Sequence, residues 1–233
     1  MSGKTDYRKL YDITGYCFSD ERLLRTALTH SSYASEHRLG YDRNNERLEF
    51  IGDAFVDAVV GVELFSIMKD AHEGELSRCR ADVVCEDSLA GAASEMGLGG
   101  FLYLGRGEEA SGGRNKPSIL ADAFEALMGA IIMDGGYEAC REVILRLLKD
   151  RIMLASEGKL NKDFKTKLQE ILQDRDKNVK IAYEITDQTG PDHSKVFTTQ
   201  VAVNGKVLGS GSGRSKARAE QAAAEDALTK GEY

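Results

Sequence analysis

Apolar residues recur along this chain at two different periods, and the change from one to the other divides it. From Asn45 to about Met68 the spacing is helical, and nine of the thirteen residues from Phe50 to Val62 are apolar. A run that dense predicts a helix covered over much of its surface. Pro117 to Met133 is apolar nearly all round, with Asp122 and Glu125 as its only charges before Asp134. A further amphipathic helix is expected over Tyr137–Ala155. Upstream, residues 5–35 read as helical, with Phe18-Ser19-Asp20-Glu21 offering an N-cap ahead of Leu23, Leu24, Ala27 and Leu28. Residues 36–44 are polar and form a loop. Ser77, or a residue near it, is expected to cap a helix carrying Ala81, Val84, Leu89, Ala92 and Ala93, which leaves Glu73 and Glu75 just ahead of its dipole. Gly97-Leu98-Gly99-Gly100 ends that helix, and residues 101–116 are a Gly-rich connection without the glycine spacing of a nucleotide cradle.

Past Ser156-Glu157-Gly158-Lys159 the period switches. Residues 163–173 are helical, 179–187 and 195–203 alternate like strands, and Asn204-Gly205 signals a hairpin into a third strand over about 206–210. Gly190-Pro191-Asp192-His193 connects the first two strands, and an Ala-rich helix runs from Arg214 to Leu228. The expected architecture is multidomain. An all-α domain over residues 1–155 is followed by a linker at 156–161 and an α+β domain of order α-β-β-β-α over 162–233.

The first long helix carries an unusual set of charges. At about 100° per residue, Glu46, Glu49, Asp53 and Asp57 fall within roughly an 80° arc, with Leu48, Ile51, Phe55, Ala58 and Val59 pointing the opposite way and Phe50, Val56 and Val60 flanking the acids. Glu49–Asp53 and Asp53–Asp57 are like-charge pairs at i, i+4, each costing about 0.2–0.5 kcal/mol even when exposed. A solvated acidic face is the bland alternative, but the apolar surroundings argue for a positive partner, and a hard divalent cation with oxygen ligands suits it. Asp122 and Glu125, at i, i+3, share a face of a core-like helix that has no Lys, Arg or His between Pro117 and Asp134. Buried carboxylates normally have a partner. His30 alone reads as a structural hydrogen-bonder.

Composition narrows the class. The chain has 233 residues and net charge −7, which at face value argues against nucleic acid. The distribution changes that: residues 162–233 hold 12 basic and 11 acidic side chains, residues 1–161 hold 19 and 27. A domain that concentrates metal ligands can be acidic and still act on a polyanion. No stretch resembles a signal-peptide core or a membrane span, so no membrane association is expected. Cys17, Cys79, Cys85 and Cys140 lack CxxC spacing and read as reduced thiols of a cytoplasmic protein.

Glu46-Arg47-Leu48-Glu49-Phe50-Ile51-Gly52-Asp53-Ala54 resembles the nuclease signature of the ribonuclease III family. Glu73-Gly74-Glu75-Leu76-Ser77-Arg78 and Leu120-Ala121-Asp122-Ala123-Phe124-Glu125-Ala126-Leu127 resemble two further stretches of that family. Lys167-Leu168-Gln169-Glu170, Gly190-Pro191-Asp192-His193 and Gly211-Ser212-Gly213-Arg214-Ser215-Lys216 are similar to a double-stranded-RNA-binding domain. The resemblance implies an all-helical nuclease domain that forms a homodimer, and hydrolysis of both strands of double-stranded RNA with Mg²⁺, for which Mn²⁺ can substitute. The resemblance further implies 5′-phosphate and 3′-hydroxyl ends with short 3′ overhangs as products, and a part in processing ribosomal RNA precursors and other structured transcripts. By the same resemblance Glu49, Asp53, Asp122 and Glu125 match the metal-binding and catalytic acids, Glu46 and Glu73 match acids that assist substrate handling, and Phe50 matches an aromatic at the dimer interface. One departure is visible: where the family's RNA-binding domain usually starts its last helix with two lysines, this chain has Lys216-Ala217.

Phosphodiester hydrolysis needs an activated water and neutralised phosphoryl oxygens, both of which Mg²⁺ supplies. Glu49, Asp122 and Glu125 are expected as metal ligands, with Glu125 beside the activated water and Asp53 orienting a water or a ligand. In the second domain, Lys165, Thr166, Gln169, Glu170 and the His193 loop would meet successive minor grooves of A-form RNA, and Arg214, Lys216 and Arg218 the phosphates between them. Two other classes compete with this reading. A non-cleaving double-stranded-RNA-binding protein would normally have lost acids that are all present here. A di-metal oxidase bundle needs Glu-x-x-His pairs that these helices lack.

Overall fold

The computed structural model describes residues 6–160, 164–190, 195–213 and 215–231. The chain separates into two compact units, Met1–Asn161 and Lys162–Tyr233.

The first unit is helical. The N-terminal segment is three short helices rather than one long one: α1 (Arg8–Thr14), α2 (Glu21–Ala27) and α3 (Ser31–Glu36). Gly15 closes α1 with a left-handed φ of 70°, a conformation only glycine adopts without strain. Asp20 caps α2 by accepting from the Arg22 N–H, in agreement with the expected cap. The carboxylate helix is α4 (Glu46–Ile67). Next come α5 (Glu73–Val84) and α6 (Glu86–Glu95), and here the expected single helix capped near Ser77 is corrected. His72 starts α5, the Glu75 carboxylate accepts from the His72 N–H at 3.3 Å, and extended backbone at Cys85 (ψ 155°) separates α5 from α6. Glu73 and Glu75 therefore lie in the first turn, not ahead of it, and the Ser77 hydroxyl donates to Glu73 inside the helix.

The Gly-rich connection contains a short helix, α7 (Arg106–Ala110). It is pinned where Tyr103 pairs with Thr29 and where the Arg114 guanidinium donates to the carbonyls of Gly99 and Leu102. The chain then enters α8 (Pro117–Ser156), which Gly136 breaks with φ 79°, so the two expected helices are its two limbs. Phe124, Leu127, Met128 and Ile131 of α8 are fully buried together with Val56, Val59, Val60 and Leu64 of α4. Burying a side chain of this size contributes about 1.5–3 kcal/mol, which makes the α4–α8 pairing the spine of the domain.

One face of α4 is left over. Phe50 is 77% exposed, Val62 54% and Phe65 71%, and Ala54 and Ala58 between them are also exposed. The expectation that Ala58 points with Leu48 into the core is corrected, because it extends an uncovered apolar stripe that starts at Phe50.

The second unit packs α9 (Phe164–Arg175) and α10 (Lys216–Lys230) on a sheet of β1 (Ile181–Thr189), β2 (Val196–Val203) and β3 (Lys206–Gly213), antiparallel in the order β1-β2-β3. Asn204 and Gly205, both at positive φ, make the tight hairpin. β3 runs three residues past the expected end. Its Gly209 and Gly211 allow α10 to lie almost on the strand: a Cβ at Gly211 would stand 2.3 Å from the Ala223 nitrogen. Leu168, Leu172, Val201, Ala223 and Ala227 close this second core. His193 and Arg214 lie outside the described residues.

Candidate active site and RNA interface

Two glycines set the distance between α4 and α8. A Cβ at Gly52 would lie 1.8 Å from the Glu125 carbonyl oxygen, and one at Gly129 1.9 Å from that of Leu48. Each helix therefore rests its backbone against the other's. Glu49 stands one turn before Gly52, and Glu125 one turn before Gly129, so the crossing brings their side chains to the same place. Oxygens of Glu49, Asp122 and Glu125 all lie within 4.8 Å of one another, and all three residues are half-buried.

Among the described residues no Lys or Arg forms an ion pair with any of the three. Burial and mutual repulsion act on them instead. Burial, then the charges of Asp53, Glu49 and Asp122, push the Glu125 carboxyl up to about 8. Burial, then Asp122, Glu46 and Asp53, raise that of Glu49. Burial and Glu86 raise that of Asp122, with His30 acting the other way. Three carboxylates whose charge is disfavoured by burial and by one another form a group that could hold a metal ion, and oxygen donors of this kind fit a hard divalent cation. This is also the arrangement from which acid–base and hydrolytic sites are built.

The other expected acids are placed differently. Asp53 is exposed, outside the 4.8 Å group, and acts on Glu49 and Glu125 through its charge. Glu46 is exposed in the first turn of α4, and its charge reaches Glu49. Glu73 is held by Ser77 on α5, and among the described residues no contact joins it to the trio. Asp57 is removed from the cation-seeking stripe, because the Arg80 guanidinium meets it at 3.3 Å. Glu86 was missed by sequence reasoning: the break at Cys85 that starts α6 beside Asp122 leaves no signal in the apolar period. His30 caps α3 by accepting from the Ser32 N–H at Nδ1 (3.2 Å), with the Ser32 hydroxyl 2.8 Å from the same nitrogen, as a structural histidine should, and its charge also favours ionised Asp122.

In the second unit, Thr166, Gln169 and Glu170 are exposed along α9. Lys165 is not a free cation. Its ammonium donates to Glu220 at 2.5 Å and sits 4.6 Å from the centre of the Tyr183 ring, so it ties α9 to α10 and to β1. Lys216 and Arg218 are exposed in the first turn of α10, which has no acid there. A helix N-terminus with two cations beside it is a suitable seat for phosphates.

Comparison with known proteins agrees with both units. Residues 20–152 match the family model described as Ribonuclease-III-like, and residues 164–230 match the Double-stranded RNA binding motif. A protein named Ribonuclease 3 from Caldanaerobacter subterraneus subsp. tengcongensis is 50% identical over 92% of this chain and 93% of its own length. The Ribonuclease 3 of Listeria welshimeri is 45% identical over 95% and 96%. In three dimensions, the nuclease domain of ribonuclease III from Campylobacter jejuni aligns with a TM-score of 0.58 at 43% identity, covering 63% of this chain and 98% of that one. With the two matched regions covering the two folded units in the same order, the chain belongs to the ribonuclease III family.

Proposed function

We propose that this chain, an endoribonuclease of double-stranded RNA, hydrolyses both strands with Mg²⁺ held by Glu49, Asp122 and Glu125, leaving 5′-phosphate and 3′-hydroxyl ends with short 3′ overhangs. The observation that carries the reading is three half-buried carboxylates within 4.8 Å of one another and no ion-pairing Lys or Arg among the described residues. A divalent cation bound there supplies neutralisation of the phosphoryl oxygens and an acidified water. The chain's own residues do the rest. Glu125, whose carboxyl burial and neighbouring charges raise to about 8, is the acid we assign to the proton of the attacking water. Asp53 orients that water from the rim. Glu46 and Glu73 handle substrate beyond the trio. Mn²⁺ is expected to substitute for Mg²⁺, since both take oxygen ligands.

Substrate selection falls to residues 162–233. Thr166, Gln169 and Glu170 on α9, with Lys165 braced by Glu220, face a minor groove. Lys216 and Arg218, with His193 and Arg214, complete the contact to backbone and 2′-hydroxyls. A second copy of the chain covers the stripe from Phe50 to Phe65, which supports a homodimer; solved relatives include a nuclease domain described with a region involved in dimer formation. No helix among the described residues is long and apolar enough to cross a membrane, and we take the site of action to be the cytoplasm, on ribosomal RNA precursors and other structured transcripts.

Glu125→Gln tests the assignment. It keeps the shape and removes the charge, so the variant should retard duplex RNA on a gel as the parent does and leave it uncut in Mg²⁺. A variant that cuts at the parent rate would remove Glu125 from the site. A parent that binds but never cuts, in Mg²⁺ or in Mn²⁺, would favour a non-cleaving RNA-binding protein.

A further inference from the structure

Glu49 stands on one helix and Asp122 and Glu125 on another, so the trio is only as well placed as the α4–α8 crossing. A further element touches both helices. Ala27 of α2 is fully buried in a cluster with Leu48, Ala126 and Ala130, and Phe18 and Leu23 pack around it. Leu48 immediately precedes Glu49, and Ala126 immediately follows Glu125. Just past its C-terminal end, α2 also holds the start of α4: the Thr29 carbonyl accepts from the Asn45 N–H at 2.9 Å.

The other end of α2 is held by α8. The Asp134 carboxylate accepts from the Ser19 and Asp20 N–H groups at 2.8 and 2.9 Å, and from the Tyr16 hydroxyl at 2.7 Å. All three donors lie more than a hundred residues away in sequence. Asp134 stands just before the break at Gly136, at the end of the limb that carries Asp122 and Glu125. The fit is close, since a Cβ at Gly135 would stand 2.3 Å from the Tyr16 hydroxyl oxygen. The Tyr16 ring meets that of Phe18 edge to face at 5.1 Å, and Phe18 packs on the cluster that contains Leu48 and Ala126. Burial acts to raise the Asp134 carboxyl, but the three donors outweigh it and hold the group below its ordinary value. At 1.5 Å of rise per residue, Asp134 lies roughly 13 Å along the helix from Glu125, too far to act on the reacting atoms.

We propose that Asp134 is a positioning residue for the acid trio. Through Tyr16, Ser19 and Asp20 it sets α2 as a brace between α8 and α4, and the brace fixes the separation of Glu49 from Asp122 and Glu125. The proposal rests on the metal reading given above.

The test uses the full chain and reads metal binding directly, as Mn²⁺ uptake by electron paramagnetic resonance, beside cleavage. In Asp134→Asn one carboxylate oxygen becomes an amide N–H₂, which cannot accept a hydrogen bond. Whichever way that amide turns, it meets the N–H of Ser19 or of Asp20 with another donor. Mn²⁺ binding should weaken by up to about tenfold, the low end of the loss seen when groups behind a metal's ligands are disturbed. The Mg²⁺ concentration for half-maximal cleavage should rise in step. KM for duplex RNA at saturating Mg²⁺ should stay at the parent value, because residues 162–233 hold the RNA. Tyr16→Phe loses one donor and keeps both N–H contacts, so it should shift Mn²⁺ binding less and in the same direction. It decides the question if Asp134→Asn does not fold. Cys79→Ala removes a thiol contact to the Ala155 carbonyl near the far end of α8 and reports on stability alone. It should melt lower yet bind Mn²⁺ as the parent does. Asp134→Asn and Tyr16→Phe proteins with parental Mn²⁺ binding would overturn the proposal, whatever their melting temperatures. So would Cys79→Ala weakening Mn²⁺ binding as much as Asp134→Asn for an equal loss in melting. A parent that takes up no Mn²⁺ is a different result, seen before any variant is compared, and it strikes the metal reading and the brace's role with it.

Discussion

The crossing of α4 and α8 allows a sharp prediction, because the distance it enforces is visible in the backbone. In Gly129→Ala the new Cβ would start 1.9 Å from the Leu48 carbonyl oxygen and 2.9 Å from a methyl of Ile51. The nearest obstacle is backbone, which cannot swing aside like the end of a side chain. Ordinary contact begins at 3.4 Å, so the helices must part locally by roughly 1.5 Å, the difference between the two distances. Overpacking of this kind costs about 1–3 kcal/mol, while alanine returns about 1 kcal/mol of helix propensity. At about 2–4 °C per kcal/mol for a chain of this size, melting should fall by up to ~8 °C. The larger effect is expected at the acids. Glu49 is on one helix, Asp122 and Glu125 on the other, and their oxygens now lie within 4.8 Å. Mg²⁺ holds its ligands at about 2.0–2.1 Å, hence no more than ~4.2 Å from each other across the ion, and an opened crossing strains that span. The Mg²⁺ concentration for half-maximal cleavage should rise about tenfold or more, with duplex RNA binding retained through residues 162–233. The assay is a Mg²⁺ titration of cleavage beside a thermal melt. A Gly129→Ala protein that melts like the parent and needs no more Mg²⁺ would refute the idea that helix spacing sets the metal site.

Other perturbations follow from the same structure. Glu125, with its carboxyl raised to about 8 in the metal-free protein, binds more protons folded than unfolded between its ordinary value of 4.5 and about 8. Stability therefore falls as pH rises through that window. Without metal, Glu125→Gln should melt higher than the parent at pH 8 and nearly equal to it at pH 4; a gap that does not vary with pH would contradict this. Cleavage by the parent should need less Mg²⁺ as pH rises toward 8, since ligation competes with that proton. Phe50→Asp places a charge in the uncovered stripe of α4 and should give a monomer by light scattering; a dimer would mean that another surface pairs the copies. Gly211→Ala drives a Cβ to 2.3 Å from the α10 backbone and should unfold the RNA-binding unit while the nuclease unit keeps its melting transition, as read by domain-resolved calorimetry.

Much of this was legible because charge and period disagree at functional positions. Asp122 and Glu125 were readable as site residues since nothing else on an apolar helix explains them, and both stand in the trio. Asp57 carried the same signal for a different reason, as its partner Arg80 sits on α5 and sequence spacing says nothing about which helix lies alongside. The ion pair of Lys165 was hidden for the same cause, its partner Glu220 lying more than fifty residues away. The uncovered stripe was half visible. Phe50 stood out as an apolar residue beside acids, but Ala54 and Ala58 are small enough to fit either face, and only packing assigned them to the outer one. The break at Cys85 was invisible because both helices share one apolar rhythm across it.

The glycines show where a sequence signal and its physical cause part company. Gly52 and Gly129 are poor helix formers, each costing about 1 kcal/mol against alanine in isolation, and local propensity marks them as flaws in two otherwise strong helices. The crossing reverses that judgement. Only a residue without a Cβ lets Leu48 and Glu125 present their carbonyls to the opposing helix at this distance. The same closeness forces three carboxylates into one another's field. The domain thus gives up helix propensity at two positions and accepts repulsion among three acids, and both costs fall at the point where the side chains proposed as metal ligands converge. On the proposed reading, stability and catalysis are set against each other at that crossing, and a divalent cation bound by the trio, which would favour the folded state more as its affinity rises, would reconcile them.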